Sequence, residues 1–169
     1  MSKKSKAGLL LSTNAWKTIL LDVHGRQQIE ACGALLGRID EEGNWHVEEA
    51  RPLRNIFASP VYFEFDPLEL LAIDLERPGY MVGVYHSHPM GPAGASSTDR
   101  QNMQRVNVEQ HIPWIWLIVS GPFTSINMIG DESMAPISAR AVLAYHHYPD
   151  TGLQQIAIQR STRAGAEPI

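Results

Sequence analysis

A single cysteine, Cys32, stands among 169 residues, so the chain can form neither an internal disulfide nor a multi-thiolate zinc site. Any metal held here must be bound through nitrogen and oxygen. Long apolar runs are also missing: stretches such as residues 114–119 fall far short of the ~20 residues needed to cross a bilayer. The basic start at residues 1–6 leads into no apolar segment with a small-residue cleavage site, and a soluble cytoplasmic protein is expected. Positive charge is not in excess. With 14 Lys and Arg against 18 Asp and Glu, the formal charge of −4 argues against partners such as nucleic acid or an anionic membrane, while leaving a basic protein surface open as a partner. Repeats of solenoid period and low-complexity tracts are absent. What the chain does have is 44% hydrophobic residues in a length suited to one compact core. One domain over residues 8–160 is expected, with flexible tails at 1–7 and 161–169 that lack apolar periodicity.

The pattern between the tails mixes helix and strand. Ser12, Thr13 and Asn14 offer N-cap side chains ahead of Trp16, Ile19, Leu20 and Val23, which recur at helical spacing up to Gly25. Residues 31–39 and 45–53, separated by a turn cluster at 40–44, read as a hairpin. Asp66 and Pro67 supply an N-cap and a first-turn proline for a helix whose apolar stripe is Leu68, Leu71, Ala72 and Leu75, closed by Pro78 and Gly79. Residues 80–88 read as a strand entering a Gly/Pro loop, after which Ser96 or Ser97 caps a polar helix reaching about Glu109. Residues 114–120, 123–129, 138–145 and 153–159 read as further strands. This order predicts the α/β class, with a central mixed β-sheet flanked by helices.

Two histidines carry the first chemical signal. His86 and His88 lie two apart in a predicted strand, so both imidazoles leave the same face and can converge on one ion. Two histidines making ordinary hydrogen bonds at a strand end fit the same spacing. Asp99, in the first turn of the following helix, can be brought back beside that strand end to complete a 2-His-1-carboxylate set; Ser96, Ser97 and Asp99 are equally what helix capping and the helix dipole favour. A hydrolytic centre also needs a carboxylate that handles protons without binding metal, and spacing alone does not choose among Glu30, Glu64, Asp66 and the other acids of the 18 present. Cys32 fits a buried thiol better than a nucleophile, adjacent His146 and His147 face opposite sides of a strand, and Trp114 and Trp116 suit a core.

The order of these residues resembles the JAMM metallopeptidases, the catalytic JAB or MPN+ family. Their motif has an upstream glutamate, His-x-His-Pro, seven residues between the second histidine and a serine, and an aspartate three after the serine; here Glu30, His86-Ser87-His88-Pro89, Ser96 and Asp99 meet it in full. Residues 30–37 also look like the family's segment around its glutamate, and Asn55 with residues 63–67 resembles its middle section. The resemblance spans roughly residues 9–120. It implies a single-domain JAB/MPN fold of cytidine-deaminase-like type. It further implies one catalytic zinc ion (Zn2+) bound by His86, His88 and Asp99, with Glu30 as general acid/base and Ser96 helping to stabilise the oxyanion.

The same resemblance implies a substrate class: amide bonds that follow the C-terminal tail of ubiquitin or of ubiquitin-like proteins. For a short stand-alone chain the expected substrate is the bond after the Gly-Gly tail of a small ubiquitin-like sulfur-carrier protein. An extended tail of that kind can add to a sheet edge while bringing little bulk near the metal. Residues 129–136 are short where eukaryotic deubiquitinases of this family often carry a larger insertion, which counts against recognition of linked ubiquitin chains. Alternatives are an isopeptidase that removes a ubiquitin-like modifier from proteins and a non-catalytic MPN scaffold. The sequence leaves oligomeric state open.

Overall fold

Among the described residues seven strands, β1 (Gly8–Ser12), β2 (Cys32–Ile39), β3 (Trp45–Leu53), β4 (Met81–His88), β5 (Ile115–Ser120), β6 (Val142–Tyr148) and β7 (Gly152–Ser161), pair around a closed ring in the order β1-β3-β2-β4-β5-β6-β7, with β1 joined to β3 on one side and to β7 on the other. The computed structural model describes residues 6–91, 93–123 and 142–161. The α-helices among these residues are α1 (Thr13–Gly25), α2 (Pro67–Glu76) and α3 (Ser97–Gln104). A π-helical turn, Arg105–Glu109, continues α3. The sheet is mixed, as the sequence predicts: β1 runs parallel to both neighbours and β4 parallel to β5, while the remaining pairs are antiparallel. No helix among the described residues is long and apolar enough to cross a membrane.

The strand that closes the ring, β1, has no counterpart in the sequence reading. It holds only five residues and ends on Ser12, the N-cap of α1, so its signal merges into a helix start. Leu9 and Leu11 are fully buried and alternate with partly exposed neighbours, the period-two pattern of a strand. The Ser12 hydroxyl accepts a hydrogen bond from Ala15 N at 3.0 Å and donates to Glu48 O at 2.8 Å, so one side chain starts α1 and ties it to β3. The strands expected at 123–129 and from 138 fall largely on residues outside those described, as do most of the expected tails. β6 begins at Val142 and β7 reaches Ser161.

Buried side chains fill both faces of the sheet. On β5, Ile115, Leu117 and Val119 join the core that includes Leu9, Ile19 and Val23, whereas Trp116 and Ile118 join Met103 and Val106 on the α3 side. Trp116 is therefore core, as expected. A third cluster joins Ile73 of α2 to Ala34, Leu36 and Leu53.

Helix α2 occupies its expected span but turns the other way. Leu68, Leu71 and Leu75 are 75%, 52% and 71% exposed, while Ile73 is 3% exposed and Leu70 packs partly against the same cluster. The helix carries two apolar rows, and contact with β2 and β3 selects the Leu70/Ile73 row. Ile73→Ala is accordingly expected to destabilise the fold by about 2–4 kcal/mol, and Leu71→Ala by less than about 0.5 kcal/mol, measured as shifts in the urea midpoint at constant slope.

Strand register sets what lies near the end of β4. Cys32 of β2 stands opposite His86, so continuing the antiparallel register two residues places Glu30 opposite His88. Ser87 N donates to Ala31 O at 2.9 Å, and Ala31 N donates back to the Ser87 hydroxyl at 2.8 Å. Further along the same strand pair, Tyr85 lies across Gly33, where an added Cβ would sit 2.3 Å from the ring. The Tyr85 hydroxyl donates to Asp22, which also pairs with Arg26, and Arg26 donates to Cys32 O and Leu53 O. This network fastens the end of α1 to β2 and β3.

Candidate functional site

Alternation along β4 turns His86 and His88 to one face, and the Gly/Pro loop that follows returns the chain so that α3 begins beside them. Ser96 is the N-cap of α3: its hydroxyl oxygen accepts from Asp99 N at 3.1 Å, while Ser96 N donates to Asp99 Oδ2 at 2.8 Å. The capping box fixes the Asp99 carboxylate over the histidines. Asp99 Oδ1 lies 3.1 Å from His86 Nε2, Asp99 Oδ2 lies 3.2 Å from His88 Nε2, and the two Nε2 atoms are 3.1 Å apart. Capping and clustering thus occur together, where the residue types alone left them as alternatives.

These distances test whether the cluster fits a cation. An ion with tetrahedral nitrogen and oxygen ligands at ~2.0–2.1 Å sets its donor atoms about 3.3 Å apart; the two Nε2 atoms are 3.1 Å apart, and one ligand atom from each of the three residues lies within 4.8 Å of the others, with the carboxylate reaching each ring through a different oxygen. Protons alone satisfy the triangle poorly. If both rings donate from Nε2 to the carboxylate, the two N–H groups face each other at 3.1 Å; if one ring offers a lone pair instead, it has nothing to give Asp99. A shared cation removes that conflict, and the cluster fits a divalent ion.

Burial and charge prepare the same groups. His86, Asp99 and His88 are 1%, 5% and 7% exposed. Burial pushes the His86 imidazolium toward its neutral form, although the hydrogen bond and charge of Asp99 oppose the shift. Burial works against the Asp99 carboxylate too, but bonds to His86 and His88 and from Ser96 N outweigh it and hold the group well below the usual carboxylate range. Neutral imidazoles and an ionised carboxylate are the forms that bind metal. Glu30 is 7% exposed, and burial pushes its carboxyl up to about 7, opposed by the charge on His88 and aided by that on Asp99.

Glu30, His88 and Ser96 line one cleft of about 280 Å³, together with Pro60, Val61 and Met90. All five residues singled out by the sequence pattern therefore meet at one end of β4. Ser96 uses its hydroxyl oxygen as an acceptor for the cap, which leaves its O–H hydrogen to donate elsewhere. Phe63 stacks on His86 with ring centroids 4.4 Å apart and planes 24° from parallel, a contact that the sequence reading did not anticipate. An aromatic residue between two loop segments carries no periodic signal that points to a ring elsewhere. Asn55 and Ser87 are also within this shell, and only their hydrogen bonds reveal it.

The remaining candidates lie elsewhere. Cys32 is fully buried and its thiol is pushed up to about 12, chiefly by burial, so it is no nucleophile at neutral pH. His146 packs on Trp45 with ring centroids 5.0 Å apart, and its Nδ1 lies 2.9 Å from Trp114 O, a structural role.

Comparison with known proteins gives the same direction. The model of prokaryotic homologs of the JAB domain matches residues 12–134. A desampylase of Pyrococcus furiosus is 33% identical over 127 residues, covering 71% of this chain and 83% of its own. A desampylase of Haloferax volcanii is 35% identical over 114 residues, covering 64% and 76%. Among solved structures, a Desulfitobacterium hafniense protein superposes with a TM-score of 0.66 at 25% identity, covering 92% of this chain and 94% of that one. A Salinibacter ruber protein, with a TM-score of 0.54 at 24% identity over 94% and 95% of the chains, shares the fold.

Proposed function

Because the chain belongs to the family of prokaryotic homologs of the JAB domain and is a JAMM-type hydrolase, we propose that it hydrolyses the amide bond after the C-terminal Gly-Gly tail of a small ubiquitin-like protein, with zinc as its ion. The observation that carries this reading is the meeting of His86, His88 and Asp99 with Glu30 and Ser96 at one end of β4. We read the closed mixed sheet as a member of the cytidine-deaminase-like type.

In this reading His86, His88 and Asp99 hold the zinc. When bound, the ion supplies Lewis acidity, polarising the scissile carbonyl and lowering the pKa of water toward ~7. Glu30 does the proton work: its carboxylate takes a proton from the attacking water and later delivers it to the departing amine nitrogen. A carboxyl raised to about 7 is suited to both steps, because it accepts and releases a proton near neutral pH. The Ser96 hydroxyl donates to the carbonyl oxygen as negative charge develops there, a contribution commonly worth ~3 to 4 kcal/mol. The buried shell around His86 and Asp99 strengthens these interactions by keeping bulk water away.

Two bonds share this chemistry. In one, the ubiquitin-like protein is a sulfur carrier and the bond lies in its own extended C-terminus; in the other, it is a modifier joined to a lysine of another protein. The second gains support from the two relatives named desampylases, a name that denotes removal of a ubiquitin-like modifier. The test offers both: a Gly-Gly-ending carrier extended by a short peptide, and the same carrier linked to a lysine side chain, with products identified by mass spectrometry. Cleavage after Gly-Gly in either supports the reading, and the faster substrate names the bond. Loss of neither under zinc-loaded conditions overturns it.

A further inference from the structure

Glu30 lies outside the sheet's hydrogen-bond ladder, because β2 begins only at Cys32. Its main chain is held instead by the segment that follows β3. Glu30 N donates to Ser59 O at 2.8 Å, and Glu30 O accepts from Asn55 Nδ2 at 3.0 Å. The same Nδ2 donates to Tyr62 O at 2.8 Å, while Asn55 Oδ1 accepts from Phe57 N at 3.1 Å and Glu64 N at 3.2 Å. Asn55 is 3% exposed, and all four of its hydrogen-bonding positions are used. A backbone bridge between Asn55 and Phe65 closes the loop at its base.

That loop does more than hold Glu30. It places Pro60 and Val61 in the wall of the cleft and Phe63 against the ring of His86. One buried amide therefore joins the backbone of the proposed acid/base, a wall of the substrate cleft and the ring packed on a histidine of the metal cluster. A carboxylate that must meet both a water and a leaving nitrogen tolerates little displacement, and Glu30 has no ladder bonds of its own to keep it in place.

We infer that Asn55 is a positioning residue for the reaction, fastening the 55–65 loop to Glu30 so that the carboxylate stays aimed into the cleft. This rests on the hydrolytic reading above. A purely structural asparagine would serve the loop through its acceptor oxygen; a positioning one acts through the bonds it donates to Glu30 O and Tyr62 O. Aspartate separates the two, since it keeps acceptors for Phe57 N and Glu64 N and loses both donors.

The experiment compares full-length wild type, Asn55→Asp and Asn55→Ala, each loaded with zinc and assayed on the two Gly-Gly substrates. Amide hydrogen exchange at Glu30 is read in parallel, with and without zinc. Both variants are expected to lower kcat per bound zinc about 10²-fold, with KM rising by less. The Glu30 amide is expected to exchange at least about 10-fold faster, while Leu35 and Val84 in β2 and β4 keep their protection. The exchange arm needs no substrate, and the alanine variant carries the test if a buried aspartate prevents folding. Unchanged protection at Glu30, acceleration at all these amides alike, or wild-type kcat in the aspartate variant each overturns the role of Asn55 alone. A wild type that cleaves neither substrate overturns the hydrolytic reading, and this role with it.

Discussion

Glu30→Gln is expected to bind as much zinc per chain as the wild type, about one ion in the proposed reading, and to lose roughly 10²- to 10⁴-fold in turnover. The reason lies in where Glu30 stands. It shares the cleft with His88 and Ser96 but is not a member of the three-residue cluster whose donor atoms converge. Its backbone is fixed by Ser59 and Asn55, and neither bond involves its side chain, so glutamine keeps the local fold. What changes is proton chemistry: a neutral amide cannot accept the proton of water or return one to an amine. Zinc content by elemental analysis and single-turnover cleavage, read on the same sample, check the result. Retained turnover removes Glu30 from the mechanism; lost zinc makes it a ligand instead.

Acidity adds a second reading to that variant. The Glu30 carboxyl is pushed up to about 7 by burial, so its ionised fraction grows as pH rises through that value. The wild-type rate is therefore expected to climb with pH as Glu30 ionises and to fall at lower pH, where Glu30 is protonated before the reaction begins; a dication in the adjacent cluster would move this limb below the value of the metal-free chain. The residual rate of Glu30→Gln should lack this limb. A limb that persists unchanged in the variant assigns it to another group.

Most of the hydrolytic arrangement was legible because it is written in local spacing. His-x-His on a strand turns two rings to one face, and a serine three before an aspartate starts a helix and aims the carboxylate in a single motif. Glu30 was legible only through the family resemblance, since its approach to His88 depends on the β2–β4 register, which no short-range pattern encodes. Asn55 and Phe63 were seen as part of a similar segment without a role, because their work is done by hydrogen bonding and stacking across the loop. The fold failed to show itself in two places for related reasons. β1 is too short to declare its period before the α1 cap intervenes, and α2 has two apolar rows between which only the neighbouring strands decide.

His88→Ala is expected to abolish stabilisation by zinc while leaving the fold intact. The wild-type triangle offers two imidazole nitrogens and a carboxylate at 3.1–3.2 Å from one another, and removing one corner leaves two donors for an ion that takes three or more from protein. Losing even an outer-shell partner commonly weakens metal binding 10- to 100-fold, so loss of a direct ligand should exceed roughly 10²-fold. At free zinc about 100 times the wild-type dissociation constant, binding to the native state adds ~2.7 kcal/mol, which for a domain of this size raises Tm by roughly 5–10 °C. The alanine variant should show no such rise. Asp99→Asn makes the control exacting, because asparagine keeps a carbonyl oxygen for Ser96 N and so preserves the α3 cap, yet removes the negative charge that two neutral imidazoles need to hold a dication. Its zinc response, read as the shift from its own metal-free melting temperature, should vanish, while that metal-free temperature falls because the charged bonds from Asp99 to His86 and His88 are lost. If both variants still gain the full wild-type shift on zinc, the ion binds elsewhere and the triangle is only a hydrogen-bonded helix cap.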